Sequence, residues 1–270
     1  MIAVVDNNDR LYDRLRQAVS GVTVIQNSGP PGLSGARNTG IAATDAPIVA
    51  FLDDDAIAPP TWLAELAAPY AGRPEVIGVG GGVVPRWTSP PPHWLPEEFG
   101  WTIGCSYRGQ PTRLAPVRNL IGANMSFRRW ALLAVGGFNP NIGQVGSGML
   151  RGDDTEVCIR LSKQLPRTVI LYQPTAVVAH TVTPERATWR YFLHRCYTEG
   201  LMKAQLVRMS GIVRGLASER RQALTVLPSG VVRHLLGITG PGGVSRAAAI
   251  VAGFTITAVG YLQGRIGLVP

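Results

Sequence analysis

Residues 48–55 read Ile-Val-Ala-Phe-Leu-Asp-Asp-Asp, an apolar run passing directly into three carboxylates. Such a run is a strand that delivers negative charge to the edge of a sheet. In open α/β sheets, ligands bind beyond the carboxyl ends of the strands. Three adjacent carboxylates repel one another and need a cation or strong donors close by. Hard oxygen ligands in this number suit Mg²⁺ or Mn²⁺ rather than a soft metal, and a metal-bound phosphate is the expected cargo. The plain alternative is a solvated acidic turn ahead of a helix starting near Pro60.

Working outward, strands are predicted near 2–5, 22–26, 48–52, 76–84, 120–127, 168–172 and 176–180. Helices are predicted over 9–19, 35–43, 60–70, 128–135, 153–164 and 187–209. The early alternation of strand and helix argues for a parallel, doubly wound sheet. The run Gly78-Val79-Gly80-Gly81-Gly82 does not fit the dinucleotide fingerprint and reads as a tight strand-to-strand passage. Residues 85–118 are rich in Pro and aromatics, with Trp87, Trp94, Phe99, Trp101 and Tyr107. They read either as an acceptor-binding flap or as a hydrophobic cover for the sheet.

Four further stretches belong with the acidic triplet. Ser34-Gly35-Ala36-Arg37-Asn38-Thr39-Gly40-Ile41 opens a short helix with small residues, and its Arg37 suits a bidentate pair with phosphate. Downstream stand Gly122-Ala123-Asn124-Met125-Ser126-Phe127-Arg128-Arg129, then Gly136-Gly137-Phe138, then Gly152-Asp153-Asp154-Thr155-Glu156. In order and spacing these motifs resemble the family 2 glycosyltransferases, the inverting group with the GT-A fold, over about residues 2–200.

The resemblance implies a GT-A domain over 1–200 with a Rossmann-like, mostly parallel sheet. Residues 1–84 would form its nucleotide-sugar half and 85–200 its acceptor half, followed by a basic, apolar helical appendage over 201–270. It implies a metal-dependent enzyme moving a sugar from a UDP- or dTDP-sugar to a hydroxyl of a glycan, lipid-linked or other cell-envelope acceptor. Asp53 and Asp55 correspond to the DxD motif, with Asp55 on the metal and Asp53 or Asp54 on the ribose. Asp6 matches the uracil-contacting acid, and Arg37 sits where family members approach the nucleotide, its alternative being a structural salt bridge. Asp153-Asp154 stands where the family usually has Glu-Asp, which makes Asp154 the general base and leaves Asp153 as a helix cap. His180, at the end of the apolar strand 176–179, corresponds to a further metal ligand in some GT-A enzymes, or is a structural histidine. Val4-Val5-Asp6 resembles the family's second strand, so one further βα unit is expected upstream of Met1. Two other classes compete. A nucleotidyltransferase would be expected to show a Gly-rich loop with Lys or Arg near its first strand, and none is visible. A non-catalytic nucleotide-sugar-binding protein is the other.

The composition bounds the partners. A 270-residue chain with 46% hydrophobic residues holds one sizeable core plus an appendage. Cys105, Cys158 and Cys196 are odd in number and lack CxxC spacing, which fits a reducing compartment. Between Thr181 and Arg246 ten Lys or Arg face three Glu, so +7 of the net +9 lies there, ahead of sixteen uncharged residues, 247–262. This pattern predicts peripheral contact with an anionic membrane, at the inner face of the cell membrane in the cytoplasm; the alternative is a helix packed on the catalytic domain with its arginines solvated. No nucleic-acid module accompanies the basic charge, so no nucleic-acid partner is expected.

Overall fold

The computed structural model describes residues 1–142, 152–210, 221–238, 240 and 242–267. Arg214, Glu219 and Arg220 of the basic stretch lie outside the described residues. The chain is an α/β domain with helices gathered at its C-terminal end. Strand β1 (Ile2–Val5) pairs in parallel with β2 (Thr23–Gln26), linked by helix α1 (Asp9–Ala18). Helix α2 (Leu33–Ala42) then leads to β3 (Ile48–Leu52). The second sheet runs in the order β3, β7 (Asn124–Arg128), β5 (Val76–Trp87), β8 (Val169–Val182), β4 (Ala56–Ile57), with β6 (Ala115–Pro116) also on β8. Strands β3, β5 and β8 point the same way, since β7 lies antiparallel between β3 and β5, and β5 pairs in parallel with β8. The short β4 and β6 pair antiparallel to β8.

Most predicted elements are present with shifted ends. The 60–70 helix divides into α3 (Trp62–Ala67) and a 3₁₀ turn over Ala68–Tyr70, while α4 (Arg129–Ala134) and α5 (Asp153–Gln164) stand as expected. Two expectations are corrected. The segments 168–172 and 176–180 form the single strand β8, whose partner β5 changes register between Gly81 and Val83. The glycines 78–82 lie inside β5 rather than in a passage between strands. They are there because neighbouring groups come too close for a side chain. A Cβ on Gly81 would stand 1.8 Å from the Ala176 carbonyl oxygen. That carbonyl accepts from Asn124 Nδ2 at 2.7 Å, and the same amide nitrogen donates to Gly82 O at 2.8 Å. Asn124 is fully buried, and its side chain stitches β5 to β8 where their ladder breaks.

Two apolar layers flank the larger sheet. One contains Met125, Phe127, Leu132, Phe138 and Leu161, and the other Trp62, Leu66, Val79, Val83 and Val178. A third cluster is built by the Pro- and aromatic-rich segment. Phe99, in the 3₁₀ stretch Glu97–Ile103, packs with Phe192 of α6 (Trp189–Ser210), Leu227 of α7 (Leu227–Leu235) and Ile250 of α8 (Gly243–Ile266). Trp94 meets Trp189 edge-on at 4.8 Å between ring centres. Glu98, wholly buried, pairs with Arg233 and with His234 at 3.4 Å, tying this segment to α7. Helix α8 packs so closely on α6 that a Cβ on Gly260 would lie 2.2 Å from Tyr197 O.

β1 and β3 each use one edge for pairing, and among the described residues neither has a strand on the other. Residues of both strands line the same cavity, of about 1560 Å³, that contains the acidic cluster. The Gly81 geometry carries a stability prediction. Gly81→Ala should cost about 3 kcal/mol, because backbone rather than a flexible side chain must yield. Chemical denaturation of the variant and the parent protein checks this.

Candidate functional site

The acidic triplet ends β3 and enters a turn whose direction is set by the sheet. Ala56 pairs with His180 across the β4–β8 ladder, and Thr181 N donates to Asp55 O at 2.8 Å. That pairing carries the Asp55 side chain to His180, with Oδ1 3.2 Å from Nε2. The imidazole is buried, and its Nδ1 lies 3.9 Å from Cys105 Sγ. Arg186, in the 3₁₀ turn Pro184–Ala187, reaches the same pair. Its Nη2 lies 3.4 Å from Asp55 Oδ2 and its Nη1 3.2 Å from His180 Nε2. The hydrogen bond with His180 holds the Asp55 carboxyl below the ordinary carboxylate range. The nearby charges of His180 and Arg186 add to this, while partial burial opposes it.

Arg37 forms the centre of the cleft. Helix α2 begins after Gly32, which has φ +110°, and its small residues allow tight docking. A Cβ on Gly35 would sit 1.8 Å from Pro30 O. The buried Arg37 guanidinium donates to Asp153 at 2.6 Å, to Asp53 at 3.1 Å and to Gly122 O at 3.2 Å. These contacts tie the strand end to the helix start, and Arg37 also lines the cavity.

Asp153 and Asp154 open α5, where negative charge is favoured by the unpaired amides of the first turn. Gly152 precedes them at φ +132°, a conformation reserved for glycine. Asp154 Oδ2 accepts from Gly122 N at 3.0 Å, and Oδ1 from Thr155 N at 2.6 Å. Burial, then the charge of Asp153, push the Asp154 carboxyl up to about 6, while Arg37 and the two amide bonds pull the other way. A carboxylate with a raised affinity for a proton is suited to general-base work near neutral pH.

Asp6 closes β1 and accepts from Asn27 Nδ2 at 2.7 Å and Gly32 N at 2.8 Å, fixing the loop that leads into α2. Asp54 is exposed on the turn. Asp6, Arg37, Asp53, Asp54, Asp55, Asp154 and His180 thus all line one cavity. Among the described residues, no three His, Cys, Asp or Glu side chains are grouped to hold a metal. Arg186 was legible only as one more basic residue of the C-terminal quarter, because its approach to Asp55 spans 131 positions. The cavity also reaches α6 and α8, where Leu206, Val207, Phe254, Ala258 and Tyr261 line it together with Arg195, Glu199 and Lys203.

The fold, with carboxylates gathered at the strand ends around a cleft, is the GT-A fold of glycosyltransferases, as its structural neighbours show. The sequence model of glycosyl transferase family 2 matches residues 1–136, and the chain belongs to this family and is a glycosyltransferase. It is 31% identical to the glucosyl-dolichyl phosphate glucuronosyltransferase of Haloferax volcanii, over 98% of this chain and 85% of that one. Among solved structures it resembles the mannosyltransferase PcManGT of Pyrobaculum calidifontis in complex with GDP-Man and Mn²⁺. The TM-score is 0.56 at 16% identity, over 97% of this chain and 77% of that one. It also resembles GalNAc-T7 with UDP, GalNAc and Mn²⁺, with TM-score 0.50 and 14% identity, over 83% of this chain but only 47% of that one.

With Asp154 taken as the general base, its raised proton affinity predicts a pH limb. A base must be deprotonated to act, so transfer should fall as pH drops through about 6. Asp154→Asn should lower turnover by roughly 10²–10⁴-fold and leave nucleotide binding unchanged. A pH–rate profile and a nucleotide-binding titration of the two proteins check both statements.

Proposed function

We propose that the protein is an inverting, metal-dependent glycosyltransferase that moves a sugar from a nucleotide-sugar to a hydroxyl or phosphate oxygen of a lipid-linked acceptor at a membrane surface. The observation that carries this reading is the single cavity, which joins Asp53–Asp55 and Asp154 to apolar side chains of α6 and α8, among them Leu206, Val207, Phe254 and Ala258, set beside the charged Arg195, Glu199 and Lys203. The named activity of the Haloferax relative, on a dolichyl phosphate compound, supports a lipid-linked acceptor.

In this reading the donor lies along the strand ends, with Asp6 at the base and Asp53 or Asp54 at the ribose. Asp55 and His180 form a two-ligand half-site. A carboxylate with an imidazole suits Mg²⁺ or Mn²⁺, which commonly completes its coordination with water and substrate phosphate oxygens. When bound there, the cation supplies positive charge against the leaving diphosphate. The acceptor oxygen attacks the anomeric carbon from the face opposite the nucleotide. As the new C–O bond forms, the bond to the diphosphate breaks and its electron pair leaves with the nucleotide. Where the acceptor is a hydroxyl, Asp154 takes its proton. Asp153, held by Arg37, keeps the first turn of α5 in place behind the base. The two aspartates in place of the usual Glu-Asp set the reach of the base from the start of α5.

Membrane contact is assigned to the C-terminal helices. Leu235, Leu236, Ile238, Val244, Val251 and Leu262 are exposed on α7, α8 and the turn between them, beside the basic stretch. Helix α8 is also long and apolar enough, by length and composition, to cross a membrane, with mean hydropathy 1.4 over its best window. The expected site is the inner face of the cell membrane, where anionic lipids attract the arginines.

Two experiments test the reading. A screen of UDP-, dTDP- and GDP-sugars with Mn²⁺ should give metal-dependent nucleotide release for one donor class. Asp55→Asn should abolish it by removing the charge that holds the cation, and wild-type Mn²⁺-dependent nucleotide affinity in that variant would overturn the assignment. In liposome flotation, the double variant Leu235→Glu, Leu236→Glu should reduce binding to anionic vesicles by about tenfold or more. High salt should weaken the parent protein's binding as well. Equal binding by variant and parent would assign this apolar surface to another role.

A further inference from the structure

The cleft carries an internal cation at the half-site. His180 Nε2 lies 3.2 Å from Asp55 Oδ1 and also 3.2 Å from Arg186 Nη1. One ring nitrogen carries either a proton or a lone pair. With a proton, it donates to Asp55 and meets the Arg186 N–H group donor to donor. With a lone pair, it accepts from Arg186 and faces the carboxylate oxygen acceptor to acceptor. Either way, one of the two contacts is unfavourable. The ring has little room to turn away. A Cβ on Gly104 would already be 3.1 Å from His180 Cε1, and Cys105 stands at Nδ1. A positive centre between the imidazole lone pair and the carboxylate relieves the conflict. In the metal-free protein the Arg186 guanidinium does so only in part, because it bonds through fixed N–H directions rather than coordinating both atoms. Among the described residues, Asp55 and His180 are the only polar partners of the Arg186 side chain. That side chain lies at the cavity wall on a short turn and is 23% exposed.

We infer that Arg186 is a built-in counter-ion for the Asp55–His180 pair, that a divalent cation displaces it from that pair, and that the freed guanidinium then binds the diphosphate arriving with the cation. The inference rests on the metal-binding reading of Asp55 and His180 given above. It makes metal and arginine competitors in the absence of nucleotide and partners in its presence. The planar guanidinium suits two phosphate oxygens, so the second role asks for arginine rather than lysine.

The test is direct Mn²⁺ binding, followed by calorimetry or by the paramagnetic resonance of free Mn²⁺, with and without UDP, on the full chain and on Arg186→Gln and Arg186→Lys. Without UDP, Arg186→Gln should bind Mn²⁺ about tenfold more tightly, because a competing charge within 4 Å is gone. UDP binding at saturating Mn²⁺ should weaken about tenfold in the same variant. Arg186→Lys should keep metal affinity near the parent value and still bind UDP less well. A residue with a merely structural role would move both affinities the same way, and thermal melting without metal identifies a variant that has not folded. Mn²⁺ binding by Arg186→Gln at or below the parent affinity overturns the counter-ion role, and unchanged UDP affinity overturns the diphosphate role. If Asp55→Asn loses Mn²⁺ while Arg186→Gln matches the parent throughout, this inference alone fails. If the parent binds neither Mn²⁺ nor UDP, the half-site reading fails with it.

Discussion

The ionic tie of Arg37 to Asp53 and Asp153 is the contact around which the cleft is organised. It joins the end of β3 to the start of α5, elements a hundred residues apart in sequence, through a guanidinium buried in α2. Burying one charge without its partners is costly, and breaking such a pair typically costs about 3–5 kcal/mol. With both carboxylates in place, the cation is compensated and its remaining N–H capacity goes to the Gly122 carbonyl. The same arrangement sets the chemistry of the neighbour. Asp154 shares the buried surroundings and feels the charge of Asp153, so its proton affinity rises, while Asp153 lies 2.6 Å from the Arg37 guanidinium.

A second constraint is the length and irregularity of β8. It runs fourteen residues, accepts β5 in parallel and β4 and β6 antiparallel, and changes register with β5 near Gly81. Glycine at 81 and the amide of Asn124 let the two strands close on each other there. Beyond the irregularity the ladder continues to His180, where β4 delivers Asp55. The Asp55–His180 contact is therefore a product of sheet register. A slip of one residue would turn His180 to the opposite face and separate it from Asp55.

The C-terminal helices are bound to the catalytic part by a mixture of forces. Aromatic stacking around Phe99 and Phe192 supplies apolar burial, and the buried Glu98 with Arg233 and His234 adds direction. The Pro- and aromatic-rich segment, open to two readings, packs as hydrophobic cover and also reaches the cavity. Trp94 and Phe99 pack against the helices, while Phe99, Trp101 and Tyr107 also line the cavity.

The sequence by itself was enough to place the α/β class, the acidic end of β3, the acidic start of α5 and the basic, apolar character of the C-terminal quarter. These are local signals: an apolar run ending in charge, a Gly before clustered acids, a block of like charge. The sheet order, the single long β8 and the position of the glycines inside β5 were not legible, because they depend on which backbone comes near Gly81 and not on the residues beside it. Arg37 read as a phosphate ligand with a salt bridge as the alternative, and its burial between Asp53 and Asp153 is a tertiary fact. Arg186 shows the limit most clearly. Nothing in the sequence around Pro184–Ala187 marks it as different from the other arginines of the C-terminal quarter, and only the return of β8 past β4 brings it to Asp55 and His180. Sequence decides which groups a segment carries, but pair interactions fall off over a few ångströms, so only the folded chain decides which of them meet.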